Sequence, residues 1–568
     1  MRLFTNLCLW LLVLQSSLAQ HVVQGKITDT HKNVLPFCAI QLKGTNTGCI
    51  SNEDGAFLLK YTNITDTICI SHLAYKPNFV TVSQVLAQPL IQLEPDVYEL
   101  VLTEIKPNDA YWYELVYLSK TLAMQSAQTV SKAWFSLESS STGSPIEVIE
   151  SYHNVQLEKN QVNSLTLKCG RIAHDTAQNF AFVSLNPTRL ITAYKLFYQN
   201  NYKLPINPLQ LSLNQLKKRY RIHLLNKIGE NGAICHLSLQ PKNNERELFA
   251  AELWIDSGKK QLLHCVLKRK ELLLHPFVPI QASHHIDSVN MRLAYNFQSM
   301  DGKPALNYVD ITYTMLYDDT RKCHQITTNA MLYLFEHGQT YIEPVFEASP
   351  EMSDYEAILL YPFNKLFWQR NEAVALSSKK KSYLNYFQTH GLLVNFEGFE
   401  KSQFGSERTK SRWAAQKRFS PEDFKQFKPN GHRQRIVFEP PSSHKLFNLS
   451  AQLFMDVNSY TDTTDILTAT LIDLDKSYYN AAKHPLSEAF INIYFDLYEI
   501  QRRKLAAGLM HNQICPDDAN RLFKTHNLEL SQILKRYLTE VERGRNHQKM
   551  KEWNQFVYES LGISNLSQ

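Results

Sequence analysis

"GKITDTHKNVLPFCAIQLKGTNTGCISNEDGAF", residues Gly25–Phe57, decides the fold of the amino-terminal region. In its FCAIQL segment Phe37, Ala39 and Gln41 face one way, and Cys38, Ile40 and Leu42 the other, which is the two-residue period of a strand. "NTGCISNEDGAFLLKY" reads as two short strands around an acidic turn, Asn52-Glu53-Asp54-Gly55. "VVQGKITD" precedes the turn, and "DTICISHLAY" and "PLIQLEP" continue the series. Short strands with turn signals every roughly 8–12 residues predict an all-β sandwich. Asp54 and Gly55 are its structural turn, because glycine accepts positive φ without steric cost. The two carboxylates lack the alternating ligand spacing of an EF-hand loop, so no calcium is expected there.

Before this stretch lies "MRLFTNLCLWLLVLQSSLAQ": one basic residue, Arg2, an apolar run from Leu7 to Leu14, and the small-residue site Ser17-Leu18-Ala19. That is the pattern of a secretory signal over residues 1–19, with cleavage expected after Ala19. The run is shorter than the roughly 20 residues a spanning helix needs, and no later run is longer, so no transmembrane segment is expected after cleavage. Cys8 falls inside the apolar run, which leaves eight cysteines. An exported chain permits disulfides, but the scattered spacing, as for Cys265 in "LLHCVLKR", favours small core residues over a framework.

The 568 residues, 44% hydrophobic and 20% charged, predict a multidomain, β-rich globular chain with α-helix. The pattern V-x-G-x-I-x-D, then L-P-F-x-x-I-x-L-x-G-T, then S-N-E-D-G-x-F resembles the carboxypeptidase-regulatory-like domain. That transthyretin-like sandwich opens many exported proteins of the Bacteroidetes type. The resemblance covers Val22 to about Pro95, and it implies a binding or packing module without catalytic residues. No peptidase zinc motif is present, so carboxypeptidase activity does not follow. "YELVLTEIKPNDAYWYELVYLSK" and "MSDYEAILLYPFNKLFW" are similar to later segments of the same kind of surface protein. Such relatives continue into an outer-membrane barrel, whose many alternating segments of roughly 10 residues are missing here.

The expected order is a signal at 1–19, the sandwich at 20–95, a connecting helix at 96–129, an antiparallel β-rich domain at 130–346, a basic linker at 347–449 and a helical domain at 450–568. The helix at Ala110 should bury Trp112, Leu115 and Leu118. In the β-rich domain, "ELWIDSGKKQLLHCVLKR" is a hairpin turning at Asp256-Ser257-Gly258. Its strand order resembles lipoprotein-carrier half-barrels. Arg219, Tyr220 and Trp254 either face a groove or pack, and packing is the expectation. His284, His285 and Asp287 do not supply the three or four convergent ligands of a zinc site.

From Lys401 to Arg435 there are ten Lys or Arg against three acids, in a chain of net charge +6. Trp413, Phe419, Phe424 and Phe427 are interleaved. Such a stretch reads as a solvated linker or as a site for anionic lipid, lipopolysaccharide or an acidic partner, carried by Arg408, Lys410, Arg412, Lys417 and Arg418. Nucleic acid is not expected as a partner of an exported chain. Farther on, Phe490, Ile493, Tyr494, Leu497 and Ile500 form a helical stripe with Ser487 as cap. His484, Glu488, Asp496 and Glu499 share helical faces, but the Glu-x-x-His pairs of a di-iron bundle are missing.

These readings predict a non-enzymatic exported envelope protein, periplasmic or surface-exposed, with no cofactor and no metal, acting as a binding or scaffold module. Its partner is an envelope protein or an anionic surface. The alternatives are a lipid or glycan carrier with a curved-sheet groove and, second, a metal-dependent enzyme in the helical domain.

Overall fold

The structure, a computed structural model, describes residues 21–45, 47–98, 110–175, 187–200, 202–229, 232–242, 245, 247–279, 281–300, 302–346, 354–396, 410–424, 447–460, 463–474, 476–510 and 514–566. The expected signal at 1–19 and its expected cut after Ala19 lie outside them. The described chain is β-rich, with small sheets first, a large antiparallel sheet in the middle and helices at the carboxyl end. It forms two compact units. The first holds Met1–Leu165, His174–Thr340 and Gln369–His390; the second holds Thr166–Ala173, Tyr341–Trp368 and Gly391–Gln568.

The first unit opens on β1 (His21–Asp29), β2 (Ala39–Leu42), β3 (Gly48–Ile50), β4 (Ala56–Tyr61), β5 (Thr67–Ser71), β6 (Asn78–Thr81), helix α1 (Val82–Ala87) and β7 (Leu90–Leu93). They make two sheets, β4-β1-β7 and β3-β2-β5-β6. The alternation read in the sequence places Val23, Ile27, Phe57 and Leu93 of one sheet against Ile40, Ile68 and Ile70 of the other in a single core. Thr81 and Gln84 form a capping box that starts α1, and the crossover returns β7 parallel to β1.

The same unit continues with β8 (Val97–Tyr98), α2 (Ala110–Ala123), β9 (Thr129–Ser141), β10 (Ser144–Glu158) and β11 (Gln161–Asp175), the last divided between the two units. Short helices α3 (Pro187–Ala193) and α4 (Leu213–Arg219) lead to β12 (Tyr220–Ile228), β13 (Ile234–Pro241), β14 (Ala250–Asp256), β15 (Gln261–Arg269), β16 (His285–Met300), β17 (Lys303–Asp318) and β18 (Cys323–Phe335). From β12 to β18 the strands follow one another as an antiparallel meander. β18 then pairs back onto β9, and β8 adds an edge to β12. The hairpin read at "LWIDSGKKQLLHCVLKR" is β14–β15.

Alternation gives this sheet two unlike faces. One carries Leu237, Leu253, Cys265, Leu293, Val309 and Leu332, all buried, and α2 packs over it. The buried side of α2 is Leu115, Val116, Ser119 and Ala123. Trp112 is only half-buried and Leu118 is exposed, so the apolar stripe is rotated from the one read in the sequence. A Ser119 Oγ bond to the Val116 carbonyl lets this serine sit inside.

After β18 come α5 (Asp354–Leu360), α6 (Lys365–Arg370) and α7 (Ser378–His390); α7 belongs to the first unit. In the second unit lie β19 (Gly391–Val394), β20 (Lys410–Arg412), β21 (Phe447–Asn448), β22 (Ala451–Ser459), β23 (Thr464–Asp473), β24 (Tyr478–Tyr479), α8 (Ser487–Leu509), α9 (Pro516–Glu540) and α10 (His547–Leu561). The sheet β20-β23-β22 and the three helices enclose Phe490, Ile493, Leu497 and Ile500 as the stripe predicts. Ser487 is the first helical residue rather than the cap. Its Oγ accepts the His484 N–H at 2.9 Å.

Candidate functional site

The second face of the large sheet is polar, and a row of rings crosses it in register. His236 lies opposite Trp254, Trp254 opposite His264, and His264 opposite Asn296. The row continues through Tyr308, Tyr333, Trp134 and Tyr152, each paired with the one before. Directly opposed side chains on one face stand within contact of each other, which explains how single ring residues on separate strands merge into one feature. His236 stacks on Trp254 with ring centres 4.0 Å apart, and Trp254 meets His264 edge-on at 5.1 Å.

One end of the row is covered by the chain itself. Phe37 of the sandwich lies 6.1 Å from the Tyr308 ring. The Tyr152 hydroxyl donates to the Asn371 carbonyl and accepts the Ala373 N–H. Helix α7 sets Lys380 against the Trp134 face, 5.0 Å from its centre. The Lys380 ammonium is buried; it donates to Ser136 Oγ and stands 3.5 Å from Glu150. Its neighbour Lys379 pairs with Glu138.

The acidic turn locks this strap in place. Asn52 Oδ1 accepts the N–H groups of Asp54 and Ala56 at 2.9 Å each, closing the turn with Gly55 at φ 73°. Asn52 Nδ2 donates to the Ala375 carbonyl at 3.1 Å, and Asp54 accepts the N–H of Ser378, the first residue of α7. Asp54 thus caps a helix more than 300 residues away in sequence. The Ser378 N–H holds its carboxyl below the usual range. The turn reading of Asp54 and Gly55 and this docking role share one geometry.

The other end of the row is open. Trp254, His236 and His264 are half-buried. Around them Asn226 Oδ1 lies 3.1 Å from one ring nitrogen of His236, and Glu252 lies 3.3 Å from the other. Lys268 donates to Glu252 at 2.8 Å, and Arg292 pairs with Asp310. Burial pushes His264 down to about 3, aided by the Arg292 charge. Arg219 and Tyr220 pack: Arg219 pairs with Glu245, and the Tyr220 hydroxyl donates to the Phe249 carbonyl at 2.8 Å.

Ser151 Oγ and His153 Nε2 are 2.9 Å apart, but both residues are fully buried on one strand. Among the described residues no three His, Cys, Asp or Glu cluster to hold a metal. His284 is turned to Tyr317 at 2.8 Å, while His285 and Asp287 are exposed. In α8, Glu499 is held by Arg502 and Arg503. All eight described cysteines are free; Cys323 and Cys515 are exposed.

Of the anionic-surface residues, Arg408 lies outside the described residues, as does the Lys410 side chain. Arg412 is exposed and donates to the Tyr361 carbonyl at 3.4 Å. Lys417 lies 5.6 Å over Phe419. Arg418 does not face solvent as a free charge. Its Nη1 donates to both oxygens of Asp496, at 2.9 and 3.0 Å, and Asp496 is fully buried. Trp413 Nε1 donates to the same carboxylate at 2.7 Å, and Phe419 and Phe424 sit in the helical core. Residues 413–424 are therefore packed structure of the second unit. The expectation of a solvated linker here is corrected, because a buried carboxylate on α8 needs a cation.

The architecture defines a β-rich multidomain protein that opens on a transthyretin-like sandwich. Residues 23–101 match the CarboxypepD_reg-like domain, so the chain carries that module. No curated protein matches the chain. Among solved structures, an outer membrane lipoprotein-sorting protein domain from Vibrio parahaemolyticus is similar at 10% identity, covering 41% of this chain and 95% of that one, with a TM-score of 0.18. The MucA/MucB complex of Pseudomonas aeruginosa follows at 11% identity, 39% and 93% coverage, and 0.14. A LolA superfamily protein from Nitrosomonas europaea stands at 7%, 40% and 93%, and 0.15. At these scores they assign nothing to this chain.

Proposed function

We propose that this chain is an exported, non-enzymatic binding protein of the cell envelope, and that the open end of the ring row on its large sheet receives a partner protein. The observation that carries the reading is the unequal cover of one continuous row. At Tyr308, Trp134 and Tyr152 the row already holds polypeptide, through ring contacts and main-chain hydrogen bonds. At His236 and Trp254 the same kind of surface is only half-buried. Rings with a polar rim are the residue types enriched where proteins meet. The leader composition supports export.

A photo-crosslinking side chain placed at His223, which is exposed on β12 beside this end, tests the proposal. It should trap a discrete envelope protein, and Trp254→Ala should abolish the adduct. Absence of any adduct, with a lipid or glycan seen bound by native mass spectrometry, would replace this reading with the carrier alternative.

A further inference from the structure

In "LTLKCG" of β11 a lysine, Lys168, interrupts an apolar strand, and in "LFMDVN" of β22 an aspartate, Asp456, does the same. The fold brings the two interruptions into contact across 288 residues of sequence. Both lie in the second unit, and their side chains are 0% and 5% exposed. The Phe367 ring covers them, its centre 5.6 Å from Lys168 Nζ. Lysine and aspartate are almost never fully buried unless paired, and taking such a pair out of water commonly costs more than its attraction returns.

The two oxygens of Asp456 are held differently. Oδ1 meets Lys168 Nζ and, among the described residues, no other donor. Oδ2 accepts from Asn458 Nδ2 at 3.0 Å and lies 3.5 Å from Asn364 Nδ2. Asn364 is itself fixed: its Oδ1 accepts the Phe367 N–H in the first turn of α6, and its Nδ2 donates to Asp465, each at 2.8 Å. Lys168 Nζ also donates to the Ile342 carbonyl at 2.7 Å and to the Val457 carbonyl at 3.3 Å. These partners would serve a neutral amide as well as an ion pair. Ile342 suits a single N–H, the two asparagines suit a carbonyl oxygen, and Oδ1 is an oxygen that can leave with nothing but the amine to lose.

We propose that Lys168 and Asp456 condense into an isopeptide bond once the second unit has folded. A proton passes from the ammonium to Oδ1, which leaves a neutral amine facing a neutral acid. Nζ attacks Cγ, and Asn458 and Asn364 hold the negative charge that develops on Oδ2. A second proton moves from nitrogen to Oδ1, the Cγ–Oδ1 bond breaks and one water departs. Two of the three ammonium protons leave in that water. The third stays as the amide N–H on the Ile342 carbonyl, and no oxidant or cofactor enters the balance. The fold holds amine and acid together as an intramolecular pair, and burial keeps bulk water from reversing the step. The product removes both buried charges. Because all eight described cysteines are free, the bond supplies a covalent tie that cysteine does not.

Mass spectrometry of the purified leader-free chain, unfolded before measurement, tests the proposal. Wild type should weigh one water less than its sequence requires. A protease digest should contain one branched peptide joining the segments around Lys168 and Asp456, with the linkage placed at those side chains by fragmentation. Lys168→Arg keeps the charge but cannot condense in this way, so it should show its full sequence mass whether or not it folds. Wild type at full mass would overturn the proposal and leave the two residues an ion pair. So would a water lost elsewhere, as from a succinimide at Asp54-Gly55, or one still lost in Lys168→Arg.

Discussion

Asp54 Oδ2 accepts the backbone N–H of Ser378 at 2.6 Å, so a carboxylate in a tight turn of the sandwich caps a helix on the large sheet. The helix supplies one acceptor of its own, and Asp54 adds one for the N–H of its first residue. Ser377, the residue before it, is fully buried and gives its Oγ to the Lys380 N–H. Asp54→Ala should therefore cost about 1 kcal/mol, the usual worth of a lost cap, and leave calcium without effect on the melting midpoint. Gly55→Val should cost more. Its backbone holds positive φ, and an added Cβ would stand 2.5 Å from the Ile27 carbonyl oxygen. Thermal denaturation of the two variants, with and without calcium, checks the order; a calcium-dependent shift lost in Asp54→Ala would refute it.

Glu147 gives a pH signature. It lies on the apolar face of the sheet, fully buried, with the Ser139 hydroxyl 3.3 Å away. Burial pushes its carboxyl up from 4.5 to about 8. The folded state thus binds a proton that the unfolded chain releases above about pH 4.5. Stability is lost as pH rises through that window and levels off above about 8. Glu147→Gln should remove this loss. Its advantage over wild type should grow by up to about 1.4 kcal/mol per pH unit within the window. Urea titrations at pH 5 and pH 8 measure it; an equal difference at both would show that Glu147 is ionised in the fold.

His264 titrates with the opposite sign. Burial and the Arg292 charge hold it down at about 3, so the unfolded chain takes up a proton below about pH 6.5 that the folded chain refuses until about 3. Stability falls as pH falls through that range. His264→Phe should flatten the acid limb of the stability profile while keeping the edge contact to Trp254. An unchanged acid limb would place the ring in water.

Strand alternation made most of the first unit readable, because an antiparallel sheet with unlike faces prints its period on each strand. Cys235, Leu237 and Leu239 alternate with His236 and Ser238 in just that way. The ring row was not readable. Its members Trp254, Tyr308 and Tyr152 stand on strands far apart in sequence, and they fall into line with His236 only once register is set. A charge run does not by itself show which of its lysines are solvated: Lys380, within "SSKKKS", reaches Ser136, 244 residues earlier.

Arg418 offers the sharpest test of the second unit. Asp496 is fully buried, and its oxygens take hydrogen bonds from Arg418, Trp413 and Asn565. Removing the cation leaves a buried carboxylate whose remaining donors, among the described residues, are neutral. Breaking one side of such a pair costs roughly 3–5 kcal/mol, whereas an exposed pair would cost under about 1. Arg418→Gln should therefore destabilise strongly, and Arg412→Gln, an exposed side chain, should change little. Asp496→Asn placed in the Arg418→Gln background should recover much of the loss, because the amide needs no counter-charge. Chemical denaturation of the singles and the double gives the coupling. A loss near zero in Arg418→Gln would return residues 413–424 to the solvated linker that their composition suggests, and the charge of Arg418 would again be available to an anionic surface.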